Sequence, residues 1–440
     1  MFLDSRALTK IQAVVLAVIV IVAAVGGALA YIFLGGEPQD TANIKVGVCA
    51  DLDMGGDIWQ GAVLAAEQIN AEGGILGRNI TIVAEDDDSG SGGDLAVASN
   101  AMMKLITVDH ADFIVSGAPF LLPYQNICSE QKKILLSVTG TADNYTQRVL
   151  EDYDKYKYCF RTAPCNQSTA NAGMLGDITT VCNYTGFKKV ALLQQDLGAG
   201  TGQLATALAN LLPKYGIALV YKNVVPVTTS DFASYFAAIE ASGGEILFPV
   251  IATGVVTSLV KEWHERQSPL VLWGVMWEAA QSDFWNLTEG KCDTISFAGQ
   301  PAVGGYPLTN KTVPARNAYI ERWGEVPTDS AIGAYDALRF ILADAIRRAG
   351  TTETEAVIRA LETVNVETTS ARHFVFTSSH DVMVGSGSVN DPAEEYTVMC
   401  IFQWQNGTQV PMRPEALMKE AGATYKYPPW YGPWSDNQTP

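Results

Sequence analysis

Histidine is scarce in this chain. There are four in 440 residues, His110, His264, His373 and His380. No two share a zinc-ligand spacing, the nearest pair being seven apart, so no metal centre is expected. The sequence has no GxSxG, HExxH or Walker motif and no paired Cys/His. Those absences speak against an enzyme and against a bound cofactor. The glycine-rich stretch GAGTG at 198–202 lacks the third glycine of a dinucleotide loop, which would fall at Gln203. Basic charge is also scarce: 29 Lys and Arg face 47 Asp and Glu, for a net charge of −18. Such a surface repels phosphates, so nucleic acid is excluded as a partner.

Seven cysteines are present, Cys49, Cys128, Cys159, Cys165, Cys182, Cys292 and Cys400, without a CxxC. Neither a zinc ribbon nor a thioredoxin motif is therefore present. The odd count leaves at least one thiol unpaired. Cys49 lies in an apolar run and reads as a buried free thiol. Cys128 with Cys159 is the candidate disulfide.

One long apolar run stands at the N-terminus. Residues 11–34 carry no charge. At 1.5 Å per residue they span roughly 36 Å, enough to cross a bilayer. Arg6 and Lys10 precede the run, which orients the remainder outward. Residues 1–36 are expected to form a membrane anchor or signal segment, and 37–43 a linker. Ala28-Leu29-Ala30 offers a rival cleavage site, and pilin-type cleavage near Arg6 is a third reading. Eight Asn-x-Ser/Thr sequons, at Asn79, Asn144, Asn166, Asn183, Asn286, Asn310, Asn406 and Asn437, exceed what composition alone would give and suggest a glycosylated surface. Acidity, a single anchor and many sequons together point to an archaeal cell surface.

The chain is organised around residues 44–77, IKVGVCADLDMGGDIWQGAVLAAEQINAEGGILG. An apolar strand, an acidic glycine loop and a helix-period segment follow one another, then a second strand starts at Ile80. This is the βαβ grammar of a parallel sheet, whose ligands bind beyond the carboxyl ends of the strands. EDDDSG at 85–90 does not match an EF-hand and reads as a strand end with capping acids. Strand and helix alternate to about residue 160, and the alternation restarts after 164. From about 297 the chain is loop-rich, then helical through SAIGAYDALRFILADAIRRAG, and closes with EEYTVMCIFQWQNG and an aromatic tail.

In order and spacing, several pieces are similar to the substrate-binding proteins of branched-chain amino acid ABC transporters. They are IKVGV, GAVLAAEQINAEGGILGRNITIVAEDDD, ILLSVTGTADNYT, YKYCFRTAP, KVALLQQD, VPVTTSDFASYFAAI and AYDALRFILADAI. The resemblance implies a type I periplasmic-binding-protein clamshell: two α/β doubly wound lobes joined by three crossovers. Lobe 1 would comprise 44–163 plus 297–390, and lobe 2 164–296 plus 396–412, with 413–440 a surface tail.

The resemblance also implies a site. In SVTGTAD the matching positions are Thr139, Gly140 and Thr141, for the ligand's zwitterion. In SGAPFLLP, Ala118 and Phe120 stand near the family's serine donors. Ala199 and Thr253 take the places of two covering tyrosines. Glu278 stands within about two residues of the family's ammonium-binding acid, beside Trp277. The loop from Asp51 to Asp57, with Asp53, Met54 and Asp57, forms a shortened lip. These departures widen the expected ligand from branched-chain amino acids to other amino acids, amides and short peptides. The expected function is an extracellular, monomeric receptor that feeds ABC permease subunits. A ligand-binding sensory domain is the alternative, although no signalling module is seen in the sequence.

Overall fold

The computed structural model describes residues 42–52, 57–89, 93–117, 119–196, 203–251, 254–281, 283–385, 396–397 and 400–431. The apolar run 11–34 and Asn437 lie outside these residues. No helix among the described residues is long and apolar enough to cross a membrane.

The first sheet is made of β1 (Ile44–Ala50), β2 (Ile80–Asp86), β3 (Phe113–Ser116), β4 (Ile134–Ser137) and β5 (Cys159–Arg161), in the order β2-β1-β3-β4-β5. All four pairings are parallel. Both faces are covered by helices, so the strands read as near-continuous apolar runs. The helices are α1 (Asp57–Ala71), α2 (Leu95–Thr107), α3 (Leu121–Glu130) and α4 (Asp143–Glu151). Gly73 and Gly74 end α1 with φ of +98° and +79°, a left-handed stop that suits glycine.

The second sheet holds β6 (Lys189–Gln195), β7 (Ala218–Val225), β8 (Ile246–Ile251), β9 (Val271–Met276), β10 (Ser296–Gly299), β11 (Cys400–Gln405) and β12 (Thr408–Arg413). Its order is β12-β11-β10-β9-β8-β6-β7. β6 to β10 run parallel, and β11 and β12 add antiparallel strands at one edge. Its helices are α5 (Gln167–Thr185), α6 (Gln203–Leu211), α7 (Ala233–Ala241) and α8 (Val256–Glu265). The switch in strand order falls between β1 and β3 in the first lobe and between β6 and β8 in the second, which marks the loops that can hold a ligand.

Between β10 and β11 the chain returns to the first lobe. It supplies α9 (Thr312–Trp323), α10 (Asp329–Asp336), a π-helical stretch (Ala337–Leu342), α11 (Ala343–Ala349) and α12 (Thr354–Leu361). Their apolar side chains join the core of the first sheet. Gly61 allows α1 to meet α10 closely: a Cβ there would lie 2.0 Å from the Ala331 carbonyl oxygen.

Three sequence expectations need correction. The boundary at residue 297 cuts through β10, which pairs with β9 and belongs to the second sheet. The candidate disulfide is not formed: all seven cysteines are buried, and none is in a disulfide. Cys128 Sγ contacts Met102 Sδ at 3.7 Å, while the Cys159 thiol faces the Gln125 carbonyl at 3.9 Å. The segment after 413 is not a loose surface tail. A short helix, α13 (Glu415–Glu420), buries Leu417. Trp430 then packs on Trp263 at 4.8 Å and donates to the Ser268 carbonyl.

Candidate functional site

The loop after β4 carries the expected zwitterion residues, and the structure fixes it with one buried cation. Arg161 ends β5 with its side chain fully enclosed. Its guanidinium donates to the carbonyls of Gly140 and Ala142 and lies 3.0 Å from Asp381 Oδ1. Asp381 Oδ2 in turn accepts from Thr146 and Asn166, both at 2.8 Å, and Oδ1 accepts the Val382 N–H. Both Asp381 oxygens thus find donors, while Arg161 Nε, although 3.0 Å from Asp381 Oδ1, makes no hydrogen bond of its own. The backbone of 140–142 is therefore pinned from beneath.

The same loop reaches across the first connection to α5. The Gln167 N–H donates to the Thr141 carbonyl at 2.6 Å, and the Thr141 hydroxyl lies 3.3 Å from Gln167 Oε1. The Asp143 carboxylate accepts from the Ser168 N–H at 3.0 Å and hydroxyl at 2.6 Å. Thr139 packs so closely on Gly117 that a Cβ there would lie 2.0 Å from its hydroxyl. The loops after β3 and β4 thus touch where the first lobe's site is expected.

Phe120 precedes α3 and packs edge-on against Tyr124 at 6.0 Å. The Tyr124 hydroxyl donates to buried Asp87 at 2.7 Å beneath the loop ends, near Cys49, whose thiol burial pushes up to about 12. Asp57 opens α1. Its Oδ1 accepts the Ile58 N–H at 2.7 Å and its Oδ2 accepts the Thr328 hydroxyl at 2.9 Å. It therefore ties the lip to the start of α10.

On the second lobe, Trp277 is half-buried after β9. Glu278 is not a solvated acid. Its Oε2 accepts the backbone N–H groups of Val256 and Thr257 at 2.9 and 3.3 Å, and its Oε1 accepts the Thr257 hydroxyl at 2.5 Å. It neutralises the exposed donors and positive end of α8. Met54, Ala118, Ala199 and Thr253 lie outside the described residues, as does Asp53. No group of three or more potential metal-ligating side chains occurs among the described residues.

Of the sequons, Asn79, Asn144, Asn183, Asn286, Asn310 and Asn406 are exposed. Asn166 is withdrawn as a glycan acceptor: its side chain caps α5 at the Thr169 N–H and donates to Asp381.

Sequence reasoning missed Arg161 and Asp381. The available signal was an arginine inside an otherwise apolar three-residue strand, CFR; its partner lies 220 residues on.

Known proteins agree with this architecture. The profile described as periplasmic binding protein matches residues 44–407. The Leu/Ile/Val-binding protein homolog 3 of Brucella melitensis is 25% identical over 377 residues, covering 83% of this chain and 92% of that protein. An amino acid binding protein of Pseudomonas aeruginosa is 28% identical over 222 residues, covering 49% of this chain and 55% of that one. Among solved structures, a putative branched-chain amino acid ABC transporter protein from Silicibacter pomeroyi superposes with a TM-score of 0.71 at 18% identity, covering 90% of this chain and 98% of that one. The isoleucine complex of a Streptococcus pneumoniae substrate-binding protein gives a TM-score of 0.66 at 18% identity, covering 84% and 100%. With two α/β lobes and their pinned loops matched by a profile over nearly the whole described chain, this protein belongs to the periplasmic binding protein family.

Proposed function

We propose that this chain is an extracellular solute receptor that closes its two lobes on an amino acid or amide-like molecule and presents it to an ABC importer. The observation that carries the reading is the loop 139–142, held rigid by Arg161 at the strand ends of the first lobe. Prearranged backbone and hydroxyl donors suit a carboxylate without a large ordering cost. The named relatives bind Leu/Ile/Val or amino acids, which supports the ligand class. A solute-binding protein of similar fold holds benzoate, at a TM-score of 0.64 and 15% identity, so a carboxylate common to the ligands is a reasonable theme. Binding would stabilise the closed form, and the permease would read that form. The uncharged run 11–34 supports a membrane anchor that keeps the receptor at the cell surface.

Calorimetric titration of the purified protein with the common amino acids, their amides and benzoate tests the reading. Saturable binding of at least one amino acid or amide is expected. Silence across the panel would remove the transport reading.

A further inference from the structure

Asp329 stands out as an acid with one carboxylate oxygen enclosed and no cation beside it. The residue is half-buried as a whole, yet its Oδ1 is fully enclosed and has no hydrogen-bond partner. The charge acting on it is that of Asp57, of the same sign; burial first and then Asp57 push the carboxyl up to about 7. Leaving a carboxylate enclosed and unpaired is costly, so such a group calls for a counter-charge.

It lines a cavity of about 10 Å³ together with Thr162, Gln300, Asp336 and Ser370. That volume accommodates one group the size of a water molecule. Thr162 and Gln300 lie on the first and second connections between the lobes, so the cavity sits where the two lobes are joined. The site loop is close: Gly333 of α10 faces the Val138 carbonyl, to which a Cβ would come within 3.2 Å. Asp336 is already engaged by the Thr369 N–H and hydroxyl, which leaves Asp329 as the open carboxylate. On the second lobe, both Glu278 oxygens are occupied by the start of α8.

We propose that this cavity receives the ammonium group of the solute, with Asp329 as its counter-ion. The assignment rests on the amino acid reading above. An ammonium is compact and presents three donors and no acceptor, which suits the carboxylate, amide and hydroxyl oxygens on the polar side of the cavity, while Pro164, Ile332, Ile341 and Phe374 close its apolar side. The titratable groups facing the site are Asp57 on α1, Asp336 on the same helix as Asp329, and Cys165 on the first connection, whose thiol burial pushes up to about 11. A free sodium ion shares the charge, so the test must separate the two.

Thermal denaturation of the purified full-length protein is followed with ammonium, sodium or tetramethylammonium chloride at equal ionic strength. Ammonium should raise the Tm of the wild type above the other two salts, and Asp329→Asn and Asp329→Ser should each abolish that increment. An equal increment from sodium, or an increment that survives in both variants, overturns the proposal. L-Leucine titration is the second arm: Asp329→Asn should weaken it about 10- to 150-fold, the value of a hydrogen bond to a charged group. If no member of the calorimetric panel binds the wild type while the Asp329-dependent ammonium increment persists, the ligand reading fails and the cavity stands as an ammonium site. If leucine binds wild type and Asp329→Asn alike, the assignment falls.

Discussion

Among the described residues, each lobe contains an enclosed arginine–aspartate pair, and the two are built differently. Arg161 and Asp381 exchange contacts with each other and with five further partners at the base of the site loop. Arg413 pairs with Asp177 between β12 and α5 and donates to the Gly173 carbonyl. There, however, Asp177 Oδ2 is enclosed without a hydrogen-bond partner. Burial raises the Asp177 carboxyl above its ordinary range despite the guanidinium beside it. Arg161 Nε is likewise without a hydrogen bond in the first lobe, so the difference lies in reach: five further groups are tied to the first pair and one to the second, which makes the second closer to replaceable packing. The first lobe thus fixes the loop after β4 with charge. The second is braced largely by rings, through Trp430 on Trp263 and Tyr425 beside Tyr184 and Trp273.

Arg161→Leu should be the most damaging change, since it strands Asp381 and frees the Gly140 and Ala142 carbonyls. A loss of about 3–5 kcal/mol in urea unfolding is expected, together with weakened solute binding. Retention of both stability and affinity would break the contrast between the two pairs.

Asp329→Asn probes uncompensated charge in the first lobe. A carboxyl whose folded-state pKa is raised to about 7 keeps its proton in the fold after the unfolded chain has lost it. Its contribution therefore becomes progressively unfavourable as pH rises from about 4 to about 7, and stays so above. Without ligand, Asp329→Asn should match wild type near pH 4 and exceed it at pH 8 by on the order of a few kcal/mol. Chemical denaturation at the two pH values checks this; equal differences at both would remove the argument.

Trp430→Ala tests the ring brace of the second lobe. It should lower stability by about 1–3 kcal/mol and leave solute affinity unchanged, as parallel denaturation and calorimetry would show.

Glu278→Gln sharpens the comparison at the site itself. The carboxylate is engaged with α8, so the expected effect is about 1 kcal/mol of stability, with solute affinity within about threefold of wild type. A much larger loss of affinity would make Glu278 a ligand group after all.

The double replacement Arg413→Met with Asp177→Leu should change stability least, with a net effect of about zero by the same denaturation, because apolar groups fill the place of an under-satisfied pair. The equivalent double replacement at Arg161 and Asp381 should fail to restore binding.

The alternation of strand and helix was legible because buried parallel strands are apolar runs and their covering helices are amphipathic. The loop after β4 was legible through the residues SVTGTAD, which resemble a known pattern. What holds that loop was not. Arg161 and Asp381 are neighbours only after the chain has crossed between the lobes and back, and no local period encodes such a meeting. Glu278 was visible as an acid near the site, but its engagement with a helix start some twenty residues upstream depends on how β8 and β9 lie side by side. β10 was misplaced because a four-residue strand at a crossover has too few residues to declare which sheet it joins.

The seven buried thiols set a condition on where this chain can survive. In an oxidising exterior, a free cysteine persists only while it cannot meet an oxidant. Burial pushes the thiols of Cys49, Cys159, Cys292 and Cys400 up to about 12, so almost none of each is in the reactive thiolate form. Protection is lost at the moment of unfolding, when all seven become able to pair wrongly. Redox damage therefore records how often and how long the fold opens, which ties the chain's lifetime in an oxidising exterior to its unfolding.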